Sequence, residues 1–268
     1  MPTPPSLRFL VSYRTLAPPA ALTLLEVRPQ VQFVQFYSAS IRARSSTALG
    51  RRTRRWKSSC QSAALAAMHS MLLQSCALIH AVVALHPGGV KIFYDPRHAT
   101  HSNAKGHPET PRRVDDCRRS LEKTDATWQY LRQARNDAED SVRRIHSNEH
   151  INRVKKASRF YRMGRTRLAV DTYAKRGSHQ TMLRAQSLWL DAVDHASSTN
   201  LAVALSRPPG HHASRHVADG FCLYNFAAGA AAYALDVLGK DWVALLDFDV
   251  HHGHRRRGTQ PVRGAPEL

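Results

Sequence analysis

The sequence predicts an α/β protein, because short apolar strands alternate with helical segments over its last two thirds. The predicted strands are Val90–Tyr94, Leu201–Leu205 and Trp242–Val250. The third begins as a continuous apolar run, which is typical of a parallel strand covered on both faces. A helical segment precedes the second strand, and an Ala-rich helix separates it from the third. That order is the βαβ unit of an α/β fold.

Each helix has its own signal in the sequence. Thr110-Pro111 predicts a helix start, because a proline in the first turn loses no hydrogen bond there. The other helices are predicted by a charged, helix-forming composition, by apolar residues at helical spacing, or by an Ala-rich run that ends at a glycine. The predicted helices are 110–122, 137–159, 183–196 and 226–238, the last ended by Gly239.

The chain has 268 residues and a formal net charge of +19, which suits one large domain with an extension. Its four cysteines show neither a framework spacing nor a CxxC pair, so a disulfide scaffold and a structural zinc finger are excluded. Such thiols are typical of buried small side chains in a reducing compartment.

The positive charge is concentrated in the N-terminal third. Residues 1–94 carry eleven Arg and Lys and a single acidic residue, Glu26. We interpret 1–89 as a basic extension without a regular fold, and three origins stay open: an organellar transit peptide, a basic tail, or a misassigned reading-frame start. An organelle is favoured as the compartment, with the nucleus and cytoplasm as alternatives.

Two partner classes are not expected. The apolar segment 63–85 is interrupted by His69, Gln74 and His80, whereas a membrane span needs about 20 uninterrupted apolar residues. The run 51–57 is rich in Arg but has one aromatic residue, which favours a solvated tail over direct nucleic-acid binding.

The third strand ends in two carboxylates and an imidazole. Asp247, Asp249 and His251 alternate along the chain, so on a strand they project to one side. The carboxyl end of a parallel strand is where α/β sheets bind ligands. Bringing two carboxylates together there costs free energy unless a cation binds between them. Carboxylate oxygen and imidazole nitrogen are zinc donors, so the pattern favours a metal site over an ion pair or helix cap.

A second cluster follows the second strand. His211 and His212 come directly after Pro208-Pro209-Gly210, a rigid turn that fixes where the imidazoles point. Imidazoles exchange protons near pH 7, so the pair is a candidate general acid and base. One helix separates the two clusters, which predicts that both lie at the same edge of the sheet.

These motifs together resemble the zinc-dependent histone deacetylase superfamily, in its class II or bacterial acetylpolyamine amidohydrolase-like branch. The resemblance runs from about Lys91 to Gly253, and its motifs are Arg207–Tyr224 with Asn225, Asp247–Gly253, His107–Arg113, Ile145–Ser147 and Asp171-Thr172. It implies an arginase/deacetylase-like three-layer sandwich with a mainly parallel sheet, and hydrolysis of acetyl-lysine or a related acetylated amine.

The resemblance also implies a role for each matching residue. Asp249 and His251 are expected to bind Zn2+, and His211 and His212 to form the dyad beside the attacking water. Asp247 is expected to orient His211, and in relatives it also helps to hold a structural K+. Gly220 and Phe221 are expected to line the acyl-lysine tunnel, with the Gly220 carbonyl accepting the substrate amide N–H. Arg113 is expected near an internal product-release region.

The sequence departs from the family pattern after Gly253. His254–Arg257 intervenes before Gly258-Thr259, and the family's third metal ligand and catalytic tyrosine have no candidate in the sequence. We therefore expect a partial deacetylase domain over 90–260, incomplete at the C-terminus, an unrelated tail over 261–268, and no turnover by this chain. Two alternatives stay open: a non-catalytic interaction module and, less favoured, a basic nucleic-acid-binding protein.

Overall fold

The structure is a computed structural model that describes residues 89–159, 164–196, 200–241, 243–247, 249 and 251, and the backbone of 32–35. The strands are β1 Gln32–Gln35, β2 Val90–Tyr94, β3 Thr127–Tyr130, β4 Arg165–Ala169, β5 Thr172–Lys175, β6 Leu201–Leu205 and β7 Ala244–Asp247. The helices are α1 Arg112–Leu121, α2 Ala138–Ile145, α3 Asn148–Arg159, α4 Ser178–His195 and α5 Phe226–Asp236, with a 3-10 helix over Pro96–Thr100.

A parallel sheet lies between two helical layers. Its strand order is β3-β2-β6, and both pairings are parallel. Along β2, Ile92 and Tyr94 pack into a cluster with Val114 of α1, whereas Phe93 points the other way and packs on Leu188 of α4. The alternation of a strand's side chains therefore builds one apolar layer on each face. This is the predicted α/β sandwich of three layers.

The helices α2 to α5 form the larger core. Residues from α2, α3, α4 and α5 share one buried cluster, which includes Val142, Ile151, Met182, Leu190 and Phe226. Burying side chains of this size contributes about 1.5–3 kcal/mol each. The β4–β5 hairpin closes this side, with Ala174 buried in the same cluster.

The predicted strands and helices are found, with shifted ends. The segment 137–159 is two helices rather than one, because the Ser147 hydroxyl accepts a hydrogen bond from the N–H of His150 (3.2 Å) and caps the second helix. The helix expected over 183–196 begins at Ser178, and the strand expected over 242–250 is limited to β7. Asp249 and His251 therefore lie beyond the strand.

β6 and β7 do not pair with each other in the described residues. β6 pairs with β2, and β7 pairs in parallel with β1 in a separate two-stranded sheet. The sequence predicts the order strand, helix, strand, but strand pairing depends on contacts between distant segments. β1 lies inside the segment 1–89, whose other predicted features up to 88 lie outside the described residues.

None of the helices in the described part of the chain combines the length and the apolar character that crossing a bilayer requires. The apolar segment 63–85 lies outside the described residues.

A buried ion pair fixes the chain segment that leads into the site. The Arg207 Nε and Nη2 atoms donate to the two carboxylate oxygens of Glu109 at 2.6 and 2.9 Å. Both side chains are almost completely inaccessible to solvent. Arg207 Nη1 also donates to the carbonyls of His98 (2.7 Å) and His101 (2.5 Å). Burial alone would raise the pKa of Glu109, but Arg207 and Arg113 lower it below its ordinary value.

A buried histidine ties α2 to the start of α5. His146 Nδ1 lies 2.8 Å from the carbonyl of Ser214, and its Nε2 lies 3.0 Å from the N–H of Asn225. A carbonyl only accepts and an N–H only donates, so the neutral ring carries its hydrogen on Nδ1. Asn225 in turn caps α5 through its side chain, which accepts from the N–H of Ala228 (3.1 Å).

Removing the Glu109 charge should destabilise the fold strongly. The E109Q variant leaves the guanidinium of Arg207 buried without its counter-ion, and breaking a buried pair costs about 3–5 kcal/mol. The matched control is E122Q, which removes the carboxylate of the exposed Arg118–Glu122 pair and should cost less than about 1 kcal/mol. Urea denaturation measures both, and equal losses would contradict the role given to Glu109.

Stability should fall as the pH is lowered below about 6.5. Burial lowers the pKa of His101 to about 4 and that of His146 to about 3. Between those values and the ordinary pKa of about 6.5, the unfolded chain binds protons that the folded chain does not. The stabilisation is complete above the ordinary value and is lost as the pH falls toward the folded one. At about pH 5 the loss should reach about 2 kcal/mol for each histidine.

Urea denaturation at about pH 7.5 and about pH 5 tests this expectation. The H146Q variant should show a weaker pH dependence, because it removes one titrating group. The exposed His216 supplies the control, and H216Q should leave the pH dependence as it is. A free energy of unfolding that is the same at both pH values would refute the assignment.

Candidate active site

The loop after β6 presents the paired histidines. The N–H of Ala213 donates to the carbonyl of Gly210 (3.1 Å), which closes a turn around His211 and His212. The N–H of His212 also lies 3.4 Å from the thiol of Cys222, a buried side chain. The two imidazole centroids are 4.1 Å apart. Local backbone bonds thus hold both rings next to each other.

The loop after β7 folds through its own aspartates. Asp247 Oδ1 accepts from the N–H of Asp249 (3.2 Å), and Asp249 Oδ1 accepts from the N–H of His251 (2.7 Å). Aspartate bonds of this kind to the backbone two residues ahead mimic a turn. The Asp-x-Asp-x-His spacing therefore shapes the loop as well as supplying its functional side chains.

One side-chain bond joins the two loops. His211 Nδ1 lies 2.8 Å from Asp247 Oδ2, and the His212 ring lies 6.1 Å from the ring of His251, centroid to centroid. An ionised carboxylate only accepts, so Nδ1 of His211 carries the hydrogen and Nε2 is the basic atom. The two predicted clusters meet, although their strands are not neighbours.

Asp249 and His251 contact each other directly. Asp249 Oδ1 and His251 Nδ1 are 3.2 Å apart, which is a hydrogen-bonding distance. Two corners of a tetrahedral site with bonds of about 2.0 Å lie about 3.3 Å apart. The oxygen and nitrogen donors therefore fit two corners of such a site. Across the described ranges, no group of three or more His, Cys, Asp or Glu side chains forms a metal cluster.

Of the two predicted tunnel residues, Gly220 lies directly against the ring of His212. Gly220 has φ +50°, and a Cβ atom there would lie 2.4 Å from Cδ2 of the His212 ring. Phe221 also has a left-handed backbone, with φ +70°. Reciprocal backbone bonds between Asp219 and Cys222 close this short loop. Only glycine lets the backbone lie directly against the imidazole of His212.

Two residues outside the predicted set hold Phe221 in place. Thr172 Oγ1 accepts from the N–H of Phe221 (2.8 Å) and donates to Asp171 Oδ1 (3.3 Å). The rings of His107 and Phe221 meet edge to face with centroids 4.8 Å apart, and His107 Nε2 lies 3.2 Å from the carbonyl of Asp171. The β4–β5 hairpin therefore borders the predicted tunnel.

Arg113, which the resemblance places near an internal product-release region, contacts Glu109. Its Nη1 donates to Glu109 Oε1 at 3.4 Å. Burial lowers the pKa of the Arg113 guanidinium, and the carboxylates of Glu109 and Asp249 oppose that shift.

Sequence reasoning missed the groups that support the site. The buried Glu109–Arg207 pair joins two motifs that the sequence had identified separately, and the Thr172 hydroxyl was noted only as part of Asp171-Thr172. Glu109 belongs to one of these motifs and Arg207 to the other. Because a lone charge is not tolerated in a core, the two opposite charges could have been predicted to pair if both motifs are buried.

Comparison with known proteins matches the histone deacetylase domain family to residues 107–261. An uncharacterized Synechocystis protein is 37% identical, over 65% of this chain and 57% of its own length. Histone deacetylase 5 of Arabidopsis thaliana is 31% identical, over 65% of this chain and 28% of its own length. The histone deacetylase-like amidohydrolase of Pseudomonas aeruginosa is 33% identical, over 59% of this chain and 41% of its own length.

Among solved structures, the HDA15 HD domain is 27% identical, with 55% of this chain and 44% of that chain covered at a TM-score of 0.45. The chain spans 57% or less of the length of each of the three relatives named above.

An alanine at position 220 should disturb the site more than left-handed backbone strain explains. The G220A variant forces the His212 ring to move, whereas G239A has a similar φ of +63° and open space around its Cβ. Both carry the strain of about 1 kcal/mol. G220A should lose about 1–3 kcal/mol more through overpacking, as measured by urea denaturation. Equal losses in the two variants would contradict the contact.

Proposed function

Because the chain belongs to the histone deacetylase family, we propose that it is a zinc-dependent deacetylase that hydrolyses acetyl-lysine or a related acetylated amine. Its relatives and domain family support a deacetylase-type function. The observation that carries the finer proposal is the 2.8 Å bond between His211 and Asp247, which joins the histidine pair to the metal-donor loop.

The chain's own residues divide the work of amide hydrolysis. Asp247 keeps the hydrogen of His211 on Nδ1, so that Nε2 is the basic atom. One of the paired imidazoles accepts the proton of the attacking water and later gives it to the departing amine. The rings of His211 and His212 are adjacent, with centroids 4.1 Å apart, and this supports a shared role in proton transfer.

Asp249 and His251 are the residues that would hold zinc. When bound, zinc would polarise the acetyl carbonyl and lower the pKa of the attacking water. Gly220 and Phe221 would guide the acylated side chain toward the histidine pair, and the Gly220 backbone already lies against the His212 ring. The guanidinium of Arg113, near Asp249 and Glu109, would attract the released carboxylate.

A second candidate is a deacetylase-like module that binds partners without turnover. It is favoured by one observation, that the described residues bring together two metal donors rather than a larger set. A catalytic zinc site has three protein ligands and an exchangeable position. Zinc content and turnover separate the two candidates.

The first test measures zinc and deacetylation on the purified chain. The deacetylase proposal predicts zinc by mass spectrometry and release of acetate from a fluorogenic acetyl-lysine peptide, both abolished by a chelator. Acetate release would overturn the expectation from the sequence that this chain has no turnover. The H212A variant should retain its zinc and lose about 10²–10⁴-fold in kcat, because a general acid or base contributes that much. The H216A variant changes an exposed histidine four residues away and should behave as the unchanged chain.

The metal donors are tested separately. D249N and H251A should lose zinc, whereas H216A should keep it. Turnover that a chelator does not affect would rule out the zinc mechanism. Zinc that is retained without any turnover would support the interaction module instead.

A further inference from the structure

The β4–β5 hairpin presents a strongly basic surface. Between Asn148 and Ser178 the sequence carries nine Arg and Lys residues and only two acidic residues, Glu149 and Asp171. On the hairpin, Arg165 and Arg167 are exposed, and Lys175 is partly exposed. We call the outward surface formed by Arg165, Arg167, Tyr173 and Lys175 the basic face.

The strand register puts these side chains on one side. Arg165 is opposite Lys175, and Arg167 is opposite Tyr173. Opposed residues of an antiparallel pair share a face, and the buried Thr172 and Ala174 occupy the other. Two cations directly opposite each other are unfavourable unless an anion lies nearby. Burial lowers the pKa of Lys175, and the positive charge of Arg165 lowers it further.

The described residues do not neutralise this face. Among them, no carboxylate forms an ion pair with Arg165, Arg167 or Lys175. Arg165 donates from Nε to the carbonyl of Ser102 (3.2 Å) and from Nη2 to that of Asn103 (2.6 Å). Lys175 Nζ donates to the Ser102 hydroxyl (2.8 Å). Arg167 Nε donates to the carbonyl of Ala169 (3.1 Å). All these partners are neutral, so no ion pair in the described part of the molecule compensates the three positive charges.

The basic face adjoins the predicted tunnel. The rings of Tyr173 and His107 have centroids 6.1 Å apart, and the His107 ring in turn meets Phe221. On the inner side of the hairpin, Thr172 accepts from the N–H of Phe221. Arg167, opposite Tyr173, is therefore separated from Phe221 by two rings. A chain that places an acylated lysine beside Phe221 would pass over this face.

We propose that the basic face binds acidic residues that flank the acetylated lysine of a polypeptide substrate. This inference rests on the proposed deacetylase function and specifies its substrate class. Opposite charges across an interface raise the association rate and select the partner, while like charges repel it. A polybasic segment would therefore be a poor substrate. The face has one aromatic side chain and borders the tunnel, which favours an extended peptide over a nucleic acid.

Peptide binding tests the proposal directly. Two fluorescent peptides of equal length carry one acetyl-lysine, flanked by glutamates in the first and by lysines in the second. At low ionic strength the acidic peptide should bind about tenfold more tightly by fluorescence anisotropy, because surface charges act within a Debye length of about 10 Å. The difference should shrink as salt is added.

Charge reversal locates the effect. R167E should weaken binding of the acidic peptide about tenfold and tighten binding of the basic one. R167A should give a smaller change in the same direction. K123E makes the same charge change at an exposed residue after α1 and should leave the preference intact. A preference unchanged in R167E, or abolished equally in K123E, would overturn the proposal, as would tighter binding of a single-stranded oligonucleotide of matched charge.

Turnover of the same peptides separates the two proposals. Equal binding and equal kcat/KM for both peptides would refute the basic face and leave the deacetylase function standing. Arg167-dependent binding of the acidic peptide, with no deacetylation of either, would refute the enzyme and leave the face as a docking surface for acidic segments.

Discussion

The buried ion pair between Glu109 and Arg207 is the constraint on which the site depends. Two charges withdrawn from water are tolerated only where their hydrogen-bonding capacity is met. Glu109 accepts from Arg207 and from Asn103 (2.7 Å), and Arg207 reaches the carbonyls of His98 and His101 as well. The pair thus joins the loop before α1, the 3-10 helix and the loop after β6. His211 follows four residues later on a backbone whose starting point is fixed.

From that fixed point, short polar contacts shape the rest of the site. Asp247 and Asp249 bend the chain after β7 through bonds to their own backbone, and Asp247 also holds His211. Asp247 therefore contacts both its own loop and the ring of His211. These bonds shape the chain beyond the end of β7, where no strand pairing is described. The described backbone needs no direct pairing between β6 and β7 to bring their loops together.

The sequence allowed two kinds of feature to be predicted: strands and helices with a clear apolar pattern, and the loops that carry the histidine and aspartate motifs. Val90–Tyr94 is apolar except for Lys91, Leu201–Leu205 is apolar throughout, and the prediction of strands there is confirmed. The β4–β5 hairpin was not predicted, because β4 is only five residues long and carries two arginines, so its sequence RTRLA gives no sustained apolar alternation. The partner of β7 was also beyond prediction, since strand order depends on contacts between distant segments. The Glu109–Arg207 pair is non-local in the same way.

The contact between His211 and Asp247 has a consequence for how the site works. His211 Nδ1 lies 2.8 Å from Asp247 Oδ2, so one side chain of each loop joins the two loops. Asp247 also accepts from the N–H of Asp249, so the same carboxylate contacts the backbone of its own loop and the ring of the other. A displacement of the loop after β7 therefore also displaces the His211 imidazole. In the proposed hydrolysis, this coupling would tie the position of Asp249 to that of the histidine pair.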